Sequence, residues 1–152
     1  MHRIAQMNNN MIYLDNAATT FPKPGQVLSS MIDQYGKMGV SPGRGSYDAS
    51  EEAARIVGDI RERVAQFFGA LDPDRVIFTA NATDALNLAM QGILEPGDHV
   101  VSTRLEHNSV LRPLYHFAQS GMISYDLVAF DESGFVDPDE IFKALTPKTK
   151  LV

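Results

Sequence analysis

The second half of the chain alternates between short apolar runs and segments with helical spacing, and this alternation is what most constrains the fold. The strand candidates are RVIFT at residues 75–79, HVVS at 99–102, ISYDLVAF at 123–130 and TKLV at 149–152. Helix candidates separate them, at residues 82–93, from about Ser109 to Gln119, and at 137–145. Repeated β-α-β-α units imply a parallel sheet with right-handed crossovers. The sequence therefore predicts an α/β fold with a mostly parallel sheet flanked by helices.

The first half predicts helices and loops. A short extended piece from Ile12 to Leu14 runs into the loop DNAATT at residues 15–20, and GKMGVSPGRGSYD at 36–48 predicts a second loop because glycine and proline interrupt regular structure. Apolar residues recur at helical spacing in two segments. They are Val27, Leu28, Met31, Ile32 and Tyr35 in the first, and Ala53, Ile56, Val57, Ile60, Val64, Phe67 and Phe68 in the second.

The second of these helices has a predicted polar face and a predicted end. Glu51 and Arg55, and likewise Asp59 and Arg63, are spaced for ion pairs across one helical turn. Gly69 follows the last apolar residue, where glycine commonly ends a helix in the left-handed conformation. We expect a helix that is charged on one face and apolar on the other.

Composition narrows the class of protein. A chain of 152 residues with a net charge of −6 and no cysteine is unlike a general nucleic-acid binder, and it holds neither a disulfide nor a thiolate metal site. No apolar run approaches the roughly 20 residues of a membrane span, and residues 1–10 do not form a secretory signal. We expect a cytoplasmic protein without a metal site. Residues 1–10 are predicted to be an N-terminal extension, and residues 11–152 the front part of a longer protein, because the last strand stops after two apolar residues.

The candidate site lies where strands end, because ligands of open α/β sheets bind beyond the carboxyl ends of the strands. Asn81, Ala82 and Thr83 follow the first strand candidate and open a helix, whose free N–H groups attract anions. Helix capping by Asn81 or Thr83 without any ligand is an equally good interpretation of the same residues. Asp84 would repel a phosphate, so we expect it to point away from one. Neither a P-loop nor a G-x-G-x-x-G motif is present in the sequence.

For each of the other candidate residues, a purely structural role is an alternative to ligand binding. His107, in TRLEHNS after the second strand candidate, is either a helix cap or an imidazole that stacks on, or exchanges protons with, a bound ring. The small residues of DNAATT permit close approach to a ligand, although a simple loop explains them equally well. Arg44, in SPGRGS, suits a carboxylate or phosphate but is also typical of a solvated surface loop.

Taken together, YLDNAATT, PGRGSY, FTANATDALNLA and GDHVVSTRLEHNSVLRPL resemble the class V aminotransferase family, and most closely its cysteine desulfurase and selenocysteine lyase branch. The resemblance implies the partial large domain of a fold-type I enzyme that uses pyridoxal 5′-phosphate. Asn81, Ala82 and Thr83 would then bind the cofactor phosphate, and His107 would stack on the pyridine ring. Asn81 occupies a position where many relatives have glycine, and asparagine tolerates a left-handed backbone better than most residues.

The resemblance also implies residues outside the site loops. Asn16 and Ala17 would lie beside the substrate pocket, and Arg44 near the active site or the seam of a homodimer. The lysine that holds the cofactor as a Schiff base, the acidic partner of the pyridine nitrogen and the sulfur-accepting cysteine would all come later than Val152.

The implied reaction converts L-cysteine to L-alanine and leaves sulfur on the enzyme, so the 152-residue chain alone is expected to be inactive. Two other functions stay open. One is a class V aminotransferase or another pyridoxal-phosphate lyase on the same scaffold. The other is a non-catalytic chain that binds a phosphate ligand or a partner.

Overall fold

The computed structural model describes residues 11–152, which fall into two units, the first ending at Arg75 and the second spanning Val76–Val152. The predicted extension at residues 1–10 lies outside the described residues. The first unit contains α1 (Gly25–Met38), α2 (Asp48–Phe68) and a short 3₁₀ helix at Pro73–Arg75. Both predicted helices of the first half are therefore confirmed, and the glycine-rich loop between them begins at Gly39 rather than at Gly36.

The ends of α2 follow from its sequence. Gly69 adopts the left-handed conformation with φ of 69°, and the N–H groups beyond the last helical residue bond back to the carbonyls of Ala65 and Gln66. This confirms Gly69 as the terminating residue. At the other end, Ser50 is fully buried and its hydroxyl donates to the carbonyl of Ser41 at 3.1 Å, which ties the loop to the first turn of the helix.

The predicted ion pairs of α2 are wrong in their partners. Arg55 pairs with Glu52 at 2.6 Å and with Asp59 at 2.8 Å, so one guanidinium bridges two carboxylates instead of meeting Glu51. Its planar fork can donate to both sides of one helical turn at once, which explains the preference. The hydrogen bond from Arg55 lowers the pKa of the Glu52 carboxyl, and the two carboxylates raise the pKa of Arg55.

The apolar faces of the first unit are mostly exposed. Among its helical residues, α1 buries none, and α2 buries only Ser50, Ala53 and Ala65. Phe67 and Phe68 remain 82% and 77% exposed. The two helices predicted from the spacing of apolar residues therefore form, but most of the apolar side chains on them are not buried in this unit.

The second unit alternates helices and strands as predicted. Its elements are α3 (Ala82–Ile93), β1 (His99–Thr103), α4 (Asn108–Gln119), β2 (Ser124–Val128), α5 (Pro138–Ala144) and β3 (Thr149–Leu151). The three strands form a sheet in the order β2-β1-β3, and both neighbours of β1 run parallel to it. This confirms the α/β class and the parallel sheet. Asp137 caps α5 by accepting a hydrogen bond from the N–H of Asp139, with Pro138 in the first helical position.

Two predicted extended segments do not join the sheet. Residues 76–79, predicted as a strand from RVIFT, lie between the 3₁₀ helix and α3 and form no described strand, and neither do residues 12–14. A strand is defined by its ladder with a neighbour, and the described sheet contains only β1, β2 and β3. Apolar, β-branched composition therefore does not by itself place a segment in the described sheet.

The core of the second unit lies between the sheet and its helices. Leu114 of α4 is completely buried in a cluster with Met90, Leu94, Val100 and Ile123. The cluster thus joins α3, β1 and α4, the elements that carry the candidate site.

A second, polar contact holds the amino end of the sheet. His99 begins β1 and is 5% exposed, with its Nδ1 2.8 Å from the Thr149 hydroxyl of β3 and its Nε2 3.4 Å from a carboxylate oxygen of Asp126 in β2. One buried ring therefore contacts side chains of both neighbouring strands.

Among the described helices, none is long and apolar enough to cross a membrane.

Candidate functional site

The start of α3 is shaped by Asn81. Its side-chain oxygen accepts a hydrogen bond from the N–H of Asp84 at 2.9 Å, and its side-chain amide donates to the Asp84 carboxylate at 3.1 Å. The Thr79 hydroxyl donates to the carbonyl of Asn81 at 2.9 Å and steadies the residue from the other side. Asn81 is therefore the N-cap residue, and its backbone is extended, with φ of −163° and ψ of 170°.

This corrects the expectation that asparagine is tolerated here for a left-handed backbone. Within residues 11–152 only glycines have positive φ. Asn81 suits the position because its short amide side chain reaches the third helical N–H, which is what an N-cap requires. The same side chain also holds the Asp84 carboxylate, the group that we expected to point away from a ligand.

The cap leaves part of the helix end available. Asn81 satisfies the N–H of Asp84 with its side chain and that of Ala85 with its carbonyl. The N–H groups of Ala82 and Thr83 occupy the first two helical positions, which have no partner within a helix. Both residues are exposed. The free N–H groups, the Thr83 hydroxyl and the positive end of the helix dipole together favour an anion.

The loop from β1 to α4 is held by short-range hydrogen bonds. The N–H of Arg104 donates to the carbonyl of Val128 at 2.9 Å and extends the ladder between β1 and β2 by one residue. The Thr103 hydroxyl donates to the Glu106 carboxylate at 3.1 Å and accepts from the N–H of Leu105 at 3.2 Å. The backbone therefore reaches His107 along a fixed path from the end of the strand.

His107 is the N-cap residue of α4. Its Nδ1 accepts a hydrogen bond from the N–H of Ser109 at 3.1 Å, and the Ser109 hydroxyl lies 3.0 Å from the same nitrogen. The sequence left open whether this histidine caps the helix or faces a ligand. It caps the helix through Nδ1, and Nε2 at the other edge of the ring has no part in the cap. His107 can therefore cap α4 through Nδ1 and still present Nε2 to a ligand.

Thr83 and His107 line one cavity. It has a volume of about 520 Å³ and extends between α3 and α4 away from the start of both helices. This volume lies within the usual range for small-molecule sites, about 300–1,000 Å³. Two of the predicted site residues, 24 positions apart in the sequence, are thereby brought together.

Further polar side chains of α3 and α4, which no motif in the sequence marks as site residues, also line the cavity. They are Asn87 and Gln91 on α3, and Arg112 and His116 on α4. The Asn87 amide donates to the carbonyl of Thr83 at 2.8 Å. A signal for them exists, because Thr83, Asn87 and Gln91 recur every four residues, as do Asn108, Arg112 and His116. A polar stripe of this kind is common on solvated helices, so by itself it does not indicate a site. The two stripes indicate a candidate site only because their residues line one cavity.

The remaining predicted residues belong to the first unit. The side-chain oxygen of Asn16 accepts a hydrogen bond from the N–H of Phe21 at 3.3 Å and closes the DNAATT loop, in which Ala17 is exposed. Arg44 is exposed between two glycines. A Cβ at the second of these, Gly45, would collide with the ring of Tyr47 unless that ring moved. The roles of Asn16, Ala17 and Arg44 in a substrate pocket stay predictions.

The parallel sheet, with a cavity lined by the first residues of α3 and α4, defines an α/β protein with a candidate ligand site where α4 follows the carboxyl end of β1. The chain belongs to the class V aminotransferase family, whose sequence model, Aminotransferase class-V, matches residues 12–152. This confirms the resemblance noted from the sequence.

Several relatives of the chain are named cysteine desulfurase or probable cysteine desulfurase. The chain is 35% identical over 142 residues to a probable cysteine desulfurase of Methanothermobacter thermautotrophicus, an alignment that covers 93% of this chain and 35% of the relative. Among solved structures, the apo cysteine desulfurase of Thermococcus onnurineus NA1 superposes with a TM-score of 0.77 at 31% identity, covering 90% of this chain and 34% of that one. SspA, solved in complex with cysteine, also has a TM-score of 0.77, at 28% identity, over 90% of this chain and 40% of its own. The chain thus spans about a third of the length of the curated relatives it matches.

Proposed function

We propose that this chain is part of a pyridoxal-phosphate-dependent cysteine desulfurase, which removes sulfur from L-cysteine and leaves L-alanine. The observation that carries the proposal is the cavity that Thr83 and His107 share, in a family whose matched relatives are named cysteine desulfurases. SspA, a structural neighbour, was solved with cysteine bound, which supports an amino-acid substrate of this kind.

The donors at the start of α3 fit the cofactor phosphate. Ala82 and Thr83 offer two exposed backbone N–H groups, and the Thr83 side chain offers a hydroxyl. Asn81 would act indirectly, because its side chain is occupied with Asp84 and keeps that carboxylate hydrogen-bonded to the cap. Pyridoxal phosphate, when bound, supplies an electron sink for negative charge at the substrate Cα.

His107 is proposed to contact the cofactor ring. Its Nδ1 is engaged by the first turn of α4, so a proton can be held or exchanged only at Nε2. Asn16, Ala17 and Arg44 are proposed to contribute to the substrate pocket, with Arg44 suited to the substrate carboxylate.

The remaining proposals rest on the family alone. They are a homodimer, a cytoplasmic location, and a cofactor-binding lysine and acidic partner in sequence that the relatives have beyond the matched region. We accordingly expect the 152-residue chain by itself to release no alanine from L-cysteine.

The phosphate assignment is tested by substitution of Thr83 in the protein that contains this chain at its natural length. Thr83→Ala removes the hydroxyl, whereas Thr83→Ser keeps it and serves as the matched control. Hydrogen bonds to charged groups are worth about 1.5–3 kcal/mol, so we expect the alanine variant to bind pyridoxal phosphate at least about tenfold more weakly. Fluorescence titration measures the affinity. Equal affinity in all three proteins would remove Thr83 from the phosphate site.

The activity is tested separately by following alanine released from L-cysteine. Stoichiometric transfer of sulfur from cysteine to the protein or to an added thiol should accompany it. Cofactor binding combined with amino-group transfer to a keto acid, and no alanine release, would identify an aminotransferase instead.

A further inference from the structure

Ser109 directs both of its hydrogen-bonding donors at one atom of its neighbour. Its backbone N–H and its hydroxyl oxygen lie 3.1 and 3.0 Å from His107 Nδ1. Ser109 is only 7% exposed, so its hydroxyl has little access to water. Among the described residues, the histidine ring is the hydrogen-bond partner seen for this hydroxyl. A buried hydroxyl ordinarily has such a partner.

The backbone contact determines the form of the ring. An amide N–H can only donate, so Nδ1 must accept, and a neutral imidazole that accepts at Nδ1 carries its proton on Nε2. The histidine of this site is therefore an Nε2–H donor in its neutral form. The backbone N–H of Ser109 therefore decides which ring nitrogen of His107 carries the proton.

Contacts on both sides of His107 hold its backbone in place, so the ring cannot shift together with the loop that carries it. The backbone before His107 is tied to β2 through Arg104 and to the end of β1 through Thr103. Behind Ser109, Leu114 anchors α4 in the core. Rotation of the ring about its own side-chain bonds is then the main freedom left, and the Ser109 hydroxyl is the side-chain group that opposes it.

We propose that Ser109 is a positioning residue that fixes both the orientation and the Nε2–H tautomer of His107. The tautomer and orientation follow from this chain's own geometry. The consequence for a bound ring, a donor presented at Nε2 from a preset direction, rests on the proposed function. Preset geometry of this kind avoids the cost of ordering the side chain when a ligand binds.

Nuclear magnetic resonance of the protein at natural length, labelled with ¹⁵N and ¹³C in histidine and without pyridoxal phosphate, tests both claims. The nitrogen shifts of His107 at neutral to alkaline pH report the tautomer, and three-bond couplings report the rotamer populations about χ1. We expect a protonated Nε2, a bare Nδ1 and one dominant rotamer. A protonated Nδ1 in the neutral ring would overturn the proposal.

Substitution separates the hydroxyl from the backbone. In Ser109→Ala, the ratio of the dominant rotamer to the others should fall about fivefold, as for the loss of one hydrogen bond of about 1 kcal/mol. Ser109→Thr should restore it, and Ser120→Ala, at the other end of α4, should leave it unchanged. Should the alanine variant not fold, Ser109→Cys keeps the volume with a weaker donor and should show a smaller fall. A ratio within twofold of wild type in the hydroxyl-free variant would refute the positioning role.

These measurements do not depend on the cofactor. Loss of pyridoxal-phosphate binding in a protein with the expected His107 signals would contradict the proposed function and leave the inference standing. A protein that binds pyridoxal phosphate and releases alanine, but whose His107 ring is disordered or protonated at Nδ1, would support the proposed function and contradict the inference about Ser109.

Discussion

Replacement of Asn81 by alanine should destabilise the second unit by removing the cap of α3. The side chain makes two contacts with Asp84, at 2.9 Å to its N–H and 3.1 Å to its carboxylate. Loss of an N-cap costs about 0.5–2 kcal/mol, typically about 1, whereas glycine at the same position costs a few tenths. With a urea m-value of about 1–3 kcal/mol/M, 1 kcal/mol corresponds to a fall in midpoint of roughly 0.3–1 M.

Two further substitutions make the test specific to the capping oxygen. Asn81→Ser keeps a capping oxygen and should lie close to wild type. Asn81→Asp also keeps one, but replaces the amide donor beside Asp84 with a second carboxylate, so it should be less stable than the serine variant at neutral pH and approach it at high salt. Urea denaturation followed by far-ultraviolet circular dichroism gives the midpoints. An alanine variant as stable as wild type, or a serine variant as unstable as alanine, would refute the capping role.

Other substitutions test the core, a helix end and a loop. Leu114→Ala should cost about 2–5 kcal/mol because the side chain is fully buried, whereas Tyr115→Ala, 52% exposed, should stay within about 0.5 kcal/mol in the same urea experiment. Gly69→Ala should cost about 1–2 kcal/mol through backbone strain alone, since φ is 69° and no atom lies within 4 Å of an added Cβ; thermal melting that is unchanged would contradict this. The Ser133 hydroxyl, and then the N–H of Phe135, lower the pKa of Asp131, so its contribution to stability is present above the unfolded value of about 3.9 and is lost as the pH falls through the folded pKa. Asp131→Asn should therefore differ from wild type at neutral pH and converge with it in acid, and a constant difference across that range would refute the assignment.

Local signals in the sequence predicted local structure well. α3, β1, β2 and α5 lie within a residue or two of their predicted bounds, because hydrophobic period, turn residues and caps are all properties of neighbours along the chain. The prediction that Gly69 ends α2 is confirmed for the same reason. The strand predicted from RVIFT is wrong, because membership of a sheet depends on other segments of the chain, which its own five residues do not specify.

The candidate site divides in the same way. That residues 81–83 and His107 lie at helix starts could be predicted from the sequence, and membership of the class V aminotransferase family could be predicted from the motifs around them. That Asn81 is extended and tied to Asp84, and that the polar stripes of α3 and α4 face one cavity, could not.

The sequence by itself determined the alternation of helices and strands from α3 to β3, the parallel sheet and the family, because these follow from patterns between near neighbours and from short motifs. Only the tertiary structure decided that Thr83 and His107 meet at one cavity, and that Ser109 holds the ring by Nδ1. Those facts depend on distances between side chains of different elements, which are set by how the helices pack on the sheet and by which hydrogen-bond partner each buried group finds.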